Sequence, residues 1–398
     1  MPAHIPISQK FQQKARFLAE EMASWESKPR MDEATEKSIR ANIQPFDHTN
    51  SSEEFRIAGV DGSGDYPSFS YADSFVYVAT ASGTVFRTEP LHGLVEEQVL
   101  VEPNLELVWL PEDRAKADNQ WINAFSSLAA RPVKDVIALS DYSDLKKTHA
   151  GSGAAIEDLV LPRASDTANC GIQLRSVAEW GTALRLIESD PACRYVLMDT
   201  TLSLPFIKTK DNSLFHEHLK RLCCVRARER GINLFTISKS HGMPSIELIE
   251  VLAKDALGLN DGKIAEHWFL RLPAEGVDSW SIEGVVEGRQ IPPIGSMTYL
   301  FRLHKNTPVM RIDMDKVWWE KCFKDNPAAE QKIFQELDYS GHDQRAYGYP
   351  FPIKACHDRT RLSMAERTVL KKQIIDAAVG KGMKRSLFRD ASAATGHS

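Results

Sequence analysis

The order of apolar and polar residues along the chain divides it into a helical arm, a run of strands, and a regular alternation of helix and strand. From Ser8 to about Arg40, Phe11, Ala15, Leu18 and Met22 recur on one stripe with charges elsewhere, which predicts helix. That arm needs a surface to lie on, its own domain or a partner. The polar run DHTNSSEE ends it. FRIAGVDGSGD then reads as a strand entering a glycine-rich turn. SFVYVATA and SGTVFRT read as two further strands joined by a glycine-containing turn, giving a meander of three, and LELVWL adds another strand pattern.

The stretch from Pro111 to Asn169, which includes THAGSGAA, breaks this pattern and is read as an insertion or lid. Regular alternation follows: helix Gln173 to Glu188, strand RYVLMD, helix Leu214 to Arg230, strand INLFTIS, helix Pro244 to Ala256. Those two strands are expected to be parallel neighbours. MTYLFRLH and PVMRIDM come next as strands, then a Pro-rich turn GYPFPIKA and a last helix near Ser363, where Ser363 and Glu366 have the S-x-x-E form of a capping box. A three-strand meander followed by parallel strands between helices is the element order of an α/β, RNase H-like mixed sheet with flanking helices. The expected division is an N-terminal helical arm over residues 1–50 and an RNase H-like domain over 51–398, with the insertion at about 111–169.

Composition narrows the class. The chain has 398 residues, 42% hydrophobic and 26% charged, as in an ordinary globular protein with room for a large core. The net charge of −5 repels nucleic acid overall, so a polyanion would have to be held by a local patch or by metal. No apolar run approaches the roughly 18 residues of a membrane span, and the first 21 residues lack the apolar stretch of a secretory signal, so a cytoplasmic protein is expected. The six cysteines contain no C-x-x-C, which suits reduced thiols better than disulfides or zinc.

Candidate chemistry lies where strands end. Asp61 closes the first strand in VDGSG, with bare backbone beside it at Gly62 and Gly64; an Asp-Gly turn satisfying itself is the plain alternative. Asp199 closes the strand of VLMDTTL. In this fold those two strands are adjacent, and two carboxylates at close range repel unless a divalent cation sits between them. An oxygen-rich set favours Mg²⁺ or Mn²⁺ over Zn²⁺. Glu179 is the candidate third acid, although Leu174, Val177, Ala178, Gly181 and Leu184 form the buried stripe and place Glu179 roughly opposite, where a solvated Glu is equally expected. Lys239, at the end of INLFTISKS, could hold a phosphate, or be a plain exposed lysine. His357 could be a fourth ligand, proton shuttle or phosphate contact, with Lys354, Arg359, Arg361 and Arg367 close by in sequence.

Local charge supports a backbone-binding groove. Residues 354–390 carry ten Lys or Arg against four acids, and residues 201–240 carry eight against three. Other chemistries fit worse. GSGAAI lacks the third glycine of a dinucleotide fingerprint, GLNDGKI fails Walker spacing, and no G-x-S-x-G elbow is present. His216 and His218 face apart on a predicted helix and make a poor zinc pair.

Taken together and in order, AGVDGSG, LRSVAEW, VLMDTTL, ISKS, YLFRLH, VMRID and GYPFPIKACH resemble the NurA nuclease family over most of the chain after residue 50. The resemblance implies an RNase H-like nuclease domain, Mn²⁺-dependent (or Mg²⁺-dependent) cleavage of DNA at ends and within single strands, a homodimer, and docking on a HerA-type hexameric ATPase in end resection or antiviral defence. It matches Asp61, Glu179 and Asp199 to metal-binding acids, Tyr349 and His357 to a late active-site pair, and Arg175 to an R-x-x-x-E pattern. Two departures stand out: D-T-T-L replaces a motif closer to D-G-S-L, and Cys356 replaces the small residue before the histidine. The first keeps open a catalytically weak DNA-end adaptor for the ATPase.

Overall fold

The computed structural model describes residues 8–25, 33–49, 53–64, 69–72, 74–90, 92–97, 104–110, 114–146, 167–189, 192–202, 214–240, 246–260, 262–272, 280–281, 290–293 and 295–389. Its strands are β1 Ile43–Pro45, β2 Arg56–Ser63, β3 Phe69–Tyr71, β4 Ser74–Glu89, β5 Gly93–Glu96, β6 Asn104–Leu110, β7 Tyr195–Met198, β8 Asn233–Ser238, β9 Trp268–Leu272, β10 Trp280–Ser281, β11 Gln290–Ile291, β12 Ser296–Arg302, β13 Met310–Asp315 and β14 Phe388–Arg389. Its helices are α1 Gln9–Trp25, α2 Glu33–Asn42, α3 Arg114–Leu128, α4 Val133–Leu139, α5 Tyr142–Lys146, α6 Thr167–Glu188, α7 Leu214–Glu229, α8 Ile246–Ala256, α9 Lys316–Cys322, α10 Pro327–Gly341, α11 Phe351–Thr360 and α12 Met364–Gly380.

The main sheet runs β1-β9-β12-β13-β8-β7-β2-β4-β3-β14, with β5 and β6 also paired to β4. Within it, β4 is antiparallel to β2, and β2, β7 and β8 are parallel neighbours. That centre is the RNase H-like arrangement expected from the element order. Antiparallel β13, β12, β9 and β1 extend it beyond β8.

Strand alternation sorts the core onto two faces. Ala58, Val60, Val196 and Met198 pack with α3, α6 and α7 through Trp121, Leu174, Ala178, Phe215 and Leu219. Ile57, Tyr195, Leu197, Phe235 and Ile237 pack on the other face with α10 and α11 through Phe334, Leu337, Phe351 and Ile353.

Four local expectations change. The residues read as two strands around Gly83 are one unbroken 16-residue strand, β4. Gly83 marks close approach rather than a turn, since a Cβ there would stand 2.6 Å from Leu186 Cδ1 of α6. The Pro-rich turn GYPFPIKA opens a helix instead: Pro350 is the N-cap of α11 and Pro352 lies in its first turn, where a missing N–H costs nothing. The 111–169 insertion is not simply a lid, because Trp121, Phe125, Leu128, Val133 and Val136 of α3 and α4 are fully buried in the core; THAGSGAA lies outside the described residues. The Ser8–Arg40 arm is two helices, and on α1 Phe11, Phe17, Leu18 and Met22 are exposed rather than packed on the domain.

The last helix starts as expected. Ser363 Oγ accepts from Glu366 N, and the Glu366 side chain accepts from Ser363 N, closing the capping box. Among the described residues no helix is long and apolar enough to cross a membrane.

Candidate active site

Asp61, Asp199 and Lys239 continue the face set by Ile57, Tyr195 and Phe235 on three adjacent parallel strands, Asp61 inside β2 one residue past its last pair with β7, and Asp199 and Lys239 just beyond the ends of β7 and β8. Because side chains alternate, Asp61 follows Ile57 and Gly59, Asp199 follows Tyr195 and Leu197, and Lys239 follows Phe235 and Ile237. The register pairs Val60 with Met198, so the two aspartates stand side by side one residue later. Gly62 N donates to Asp61 Oδ1 at 2.8 Å. Lys239 Nζ lies 3.8 Å from Asp199 Oδ2. Burial, and secondarily the Asp61 charge, hold the Asp199 carboxyl above its ordinary range against the opposing pull of Lys239.

Glu179 reaches the same strand ends from the other face. It is buried, and a Cβ on Gly62 would stand 2.8 Å from Glu179 Cγ and 2.9 Å from its Oε1. The solvated position suggested by periodicity is therefore not adopted. Helix α6 is enclosed by the sheet on one side and by α3 and α7 on others, with Gly181 admitting the Leu128 carbonyl so closely that a Cβ would lie 1.9 Å from its oxygen. A helix covered on several sides has no single buried stripe, which is why spacing misplaced Glu179. Arg175 Nε pairs with Glu179 Oε1 at 3.3 Å, one turn earlier on α6.

Helix α11 brings the remaining groups. Gly59 allows this: a Cβ on it would stand 2.2 Å from the Pro352 carbonyl oxygen, so the first turn of α11 lies directly on β2. Cys356 Sγ donates to the Gly59 carbonyl at 2.9 Å, an anchor that the larger residue at this position makes available. One residue on, His357 Nδ1 meets Asp61 Oδ2 at 2.8 Å while half its side chain remains exposed. Tyr349, just before the helix, follows Gly348 in a left-handed conformation (φ +84°) that the turn requires. The Tyr349 ring lies under Lys239 Nζ, 4.2 Å from its centroid, a cation–π contact. Its buried hydroxyl faces Asp199 without a well-formed hydrogen bond, and burial together with the two aspartates raises its pKa well above the ordinary tyrosine value.

The structure thus brings Asp61, Glu179, Asp199, Lys239, Tyr349 and His357 to one end of the sheet, with Arg175 beside them. Their donor set is oxygen-rich, suited to a hard divalent cation, and the Tyr349 hydroxyl is under-bonded while burial raises the Asp199 pKa despite the nearby Lys239. With the side chains as they stand, no choice of one oxygen from each of Asp61, Glu179 and Asp199 brings all three within 4.8 Å of one another, Glu179 entering from the opposite face; among the described residues the group with that spacing is His48, Asp338 and His342.

The expected basic segments divide. Much of the surplus at 201–240 is consumed internally: Arg221 and Arg228 pair with Asp141 and Asp315, Lys220 with Glu217, and Arg226 with Glu229. Lys354 pairs with Asp358 on α11, and Arg359 with Glu96 and with Thr84 Oγ1. Arg361 is exposed at the C-terminal end of α11. His216 and His218 are buried, and burial pushes them down to about 3 and about 4 respectively, so both are neutral core histidines.

Neither a protein family nor a curated protein matches this sequence. Among solved structures, the chain resembles the NurA nuclease from Sulfolobus solfataricus at 15% identity and a TM-score of 0.49, covering 95% of this chain and 99% of that one. It also matches NurA bound to dAMP and manganese (11% identity, TM-score 0.34, 89% of this chain and 94% of that one). A third match is endonuclease V from Ciona intestinalis in complex with an inosine-containing DNA (14% identity, TM-score 0.31, 89% and 99%).

Proposed function

We propose that the protein is a Mn²⁺- or Mg²⁺-dependent deoxyribonuclease acting on DNA ends. The observation that carries this reading is the side-by-side placement of Asp61 and Asp199 on adjacent parallel strands, with Glu179 approaching past Gly62. Asp61, Glu179 and Asp199 would hold a divalent cation, which when bound would supply Lewis acidity toward the phosphodiester and lower the pKa of a bound water.

The chain's own groups do the rest. Lys239, half-exposed above Tyr349, places positive charge where a phosphate oxygen would approach and offsets the charge that develops there. Tyr349, whose pKa lies well above neutrality, stays protonated and acts as a hydrogen-bond donor rather than a base. His357 orients Asp61 through Nδ1 and, being half-exposed, can pass a proton to the leaving oxygen. Arg175 orients Glu179.

The resemblance to the NurA family further implies a homodimer working with a HerA-type hexameric ATPase, in repair or antiviral defence. The test is incubation of the full chain with linear DNA and Mn²⁺, with and without such an ATPase. Cleavage that Asp61→Asn and Asp199→Asn abolish supports the reading; ends bound but left intact under every condition would establish the adaptor instead.

A further inference from the structure

Away from the carboxylates just described, three imidazoles crowd a single buried carboxylate. Asp338, near the C-terminal end of α10, is buried; its Oδ2 lies 2.5 Å from His48 Nδ1 and its Oδ1 lies 3.5 Å from His267 Nε2. His342, one turn beyond Asp338, caps α10. Its ring centroid is 4.0 Å from that of His48, and His48 stacks on His267 at 5.5 Å. One ligand atom from each of His48, Asp338 and His342 lies within 4.8 Å of the others.

Two features set this cluster apart from ordinary surface pairing. His267 holds a left-handed backbone (φ +56°), uncommon for a residue with a side chain, and its buried Nε2 faces Asp338 without a well-formed hydrogen bond. Tyr347 Oη and His342 Nε2 are hydrogen-bonded at 2.9 Å, the type of outer contact that fixes a ligating imidazole. Beside it opens a cavity of about 510 Å³ lined by Thr49, His92, Tyr339, His342 and Arg345, which gives an ion a route in.

We propose that His48, His267, Asp338 and His342 form a second metal site, for a borderline cation of the Zn²⁺ class. Imidazole nitrogens with one carboxylate oxygen suit Zn²⁺, whereas the oxygen set at Asp61 and Asp199 suits Mn²⁺ or Mg²⁺. Ligand atoms around tetrahedral Zn²⁺ are about 3.3 Å apart, so modest side-chain rotation closes the present spacing of His48, Asp338 and His342, with His267, 3.5 Å from Asp338 but outside that trio, turning in as the fourth ligand. On binding, the cation takes the place of the protons shared between the imidazoles and Asp338, and these leave to solvent. The ligands come from the segment after β1, the residue before β9 and the end of α10. The site would therefore staple the N-terminal segment to the edge of the sheet, independently of any nuclease chemistry.

The test uses the full chain stripped with EDTA and titrated with Zn²⁺ alone by calorimetry in two buffers, and with Co²⁺ as a visible-absorption probe. The expected result is one Zn²⁺ equivalent bound at micromolar or tighter affinity, buffer-dependent heat from proton release, a Tm rise of a few degrees, and a tetrahedral Co²⁺ spectrum. Asp199→Asn should retain that equivalent, and His48→Gln with His342→Gln should lose it. Wild-type protein that takes up no Zn²⁺, or gives an octahedral Co²⁺ spectrum, would overturn the proposal whether or not the double variant folds. So would undiminished Zn²⁺ affinity in a folded double variant.

Discussion

Gly59→Ala probes how the site is assembled without touching any group proposed to react. The new Cβ would stand 2.2 Å from the Pro352 carbonyl oxygen and 2.7 Å from Ile353 N, where ordinary contact begins at about 3.4 Å. Helix α11 must therefore retreat by roughly 1.2 Å, and both partners are backbone, so no rotamer change relieves the clash. Overpacking of this kind costs about 1–3 kcal/mol, and the rigid partners place this position at about 3 kcal/mol. With an unfolding entropy of about 2.1 cal/mol/K per residue over this length, that is a Tm loss of roughly 3–4 °C if the chain unfolds as one unit. The retreat also breaks the Cys356 anchor and pulls His357 from Asp61. A displacement of about 1 Å at a reacting group can cost about 100-fold in rate. Differential scanning calorimetry and Mn²⁺-dependent cleavage of linear DNA read the two effects. Gly380→Ala, with open space around the added carbon, is the control and should be neutral in both. Wild-type melting and wild-type cleavage in Gly59→Ala would refute the account of how α11 is seated.

Other expectations follow from the same geometry. Glu179→Gln should lower cleavage at least about 100-fold, as loss of an electrostatic catalytic group does, and weaken Mn²⁺ binding in calorimetry while the far-ultraviolet circular dichroism stays unchanged; full activity would remove Glu179 from the site. Lys239 lowers the Asp199 pKa, so Lys239→Met should raise it further, leave more Asp199 protonated in acid, and move the acid limb of Mn²⁺ affinity to higher pH. Lys239→Arg should restore the wild-type profile. Removal of divalent metal with EDTA should abolish cleavage and its return as Mn²⁺ should restore it. Ser363→Ala should make the Glu366 amide in the first turn of α12 exchange several-fold faster, since the Ser363 Oγ that accepts its hydrogen bond is lost while the Ser363 N–H can still reach the Glu366 side chain.

What the chain disclosed in its sequence was the part governed by short-range periodicity. Asp61, Asp199 and Lys239 close predicted strands, which places them at one end of the sheet, and the structure puts them there, on one face, because β2, β7 and β8 are parallel neighbours. Glycine and proline were harder to read, because each has two uses. Gly83 opens space for Leu186 rather than a turn, and Pro350 and Pro352 start a helix rather than replace one. Glu179 was ambiguous because α6 packs on several sides, which a single-stripe analysis cannot represent. Basic residues of 201–240 looked free in sequence, while their acidic partners Asp141 and Asp315 lie far along the chain. The His48, His267, Asp338 and His342 cluster gives no sequence signal, since 290 residues separate His48 from Asp338.

The contact between Asp61 and His357 spans 296 residues of sequence. At roughly 5–20 residues per second of synthesis, the histidine leaves the ribosome about 15–60 s after the aspartate. The parallel strands can already be folded in that interval, yet the pocket still lacks the helix that completes it. On the nuclease reading proposed above, a chain that ends before α11 lacks His357 and the contact that orients Asp61, so such a fragment is expected to cut poorly.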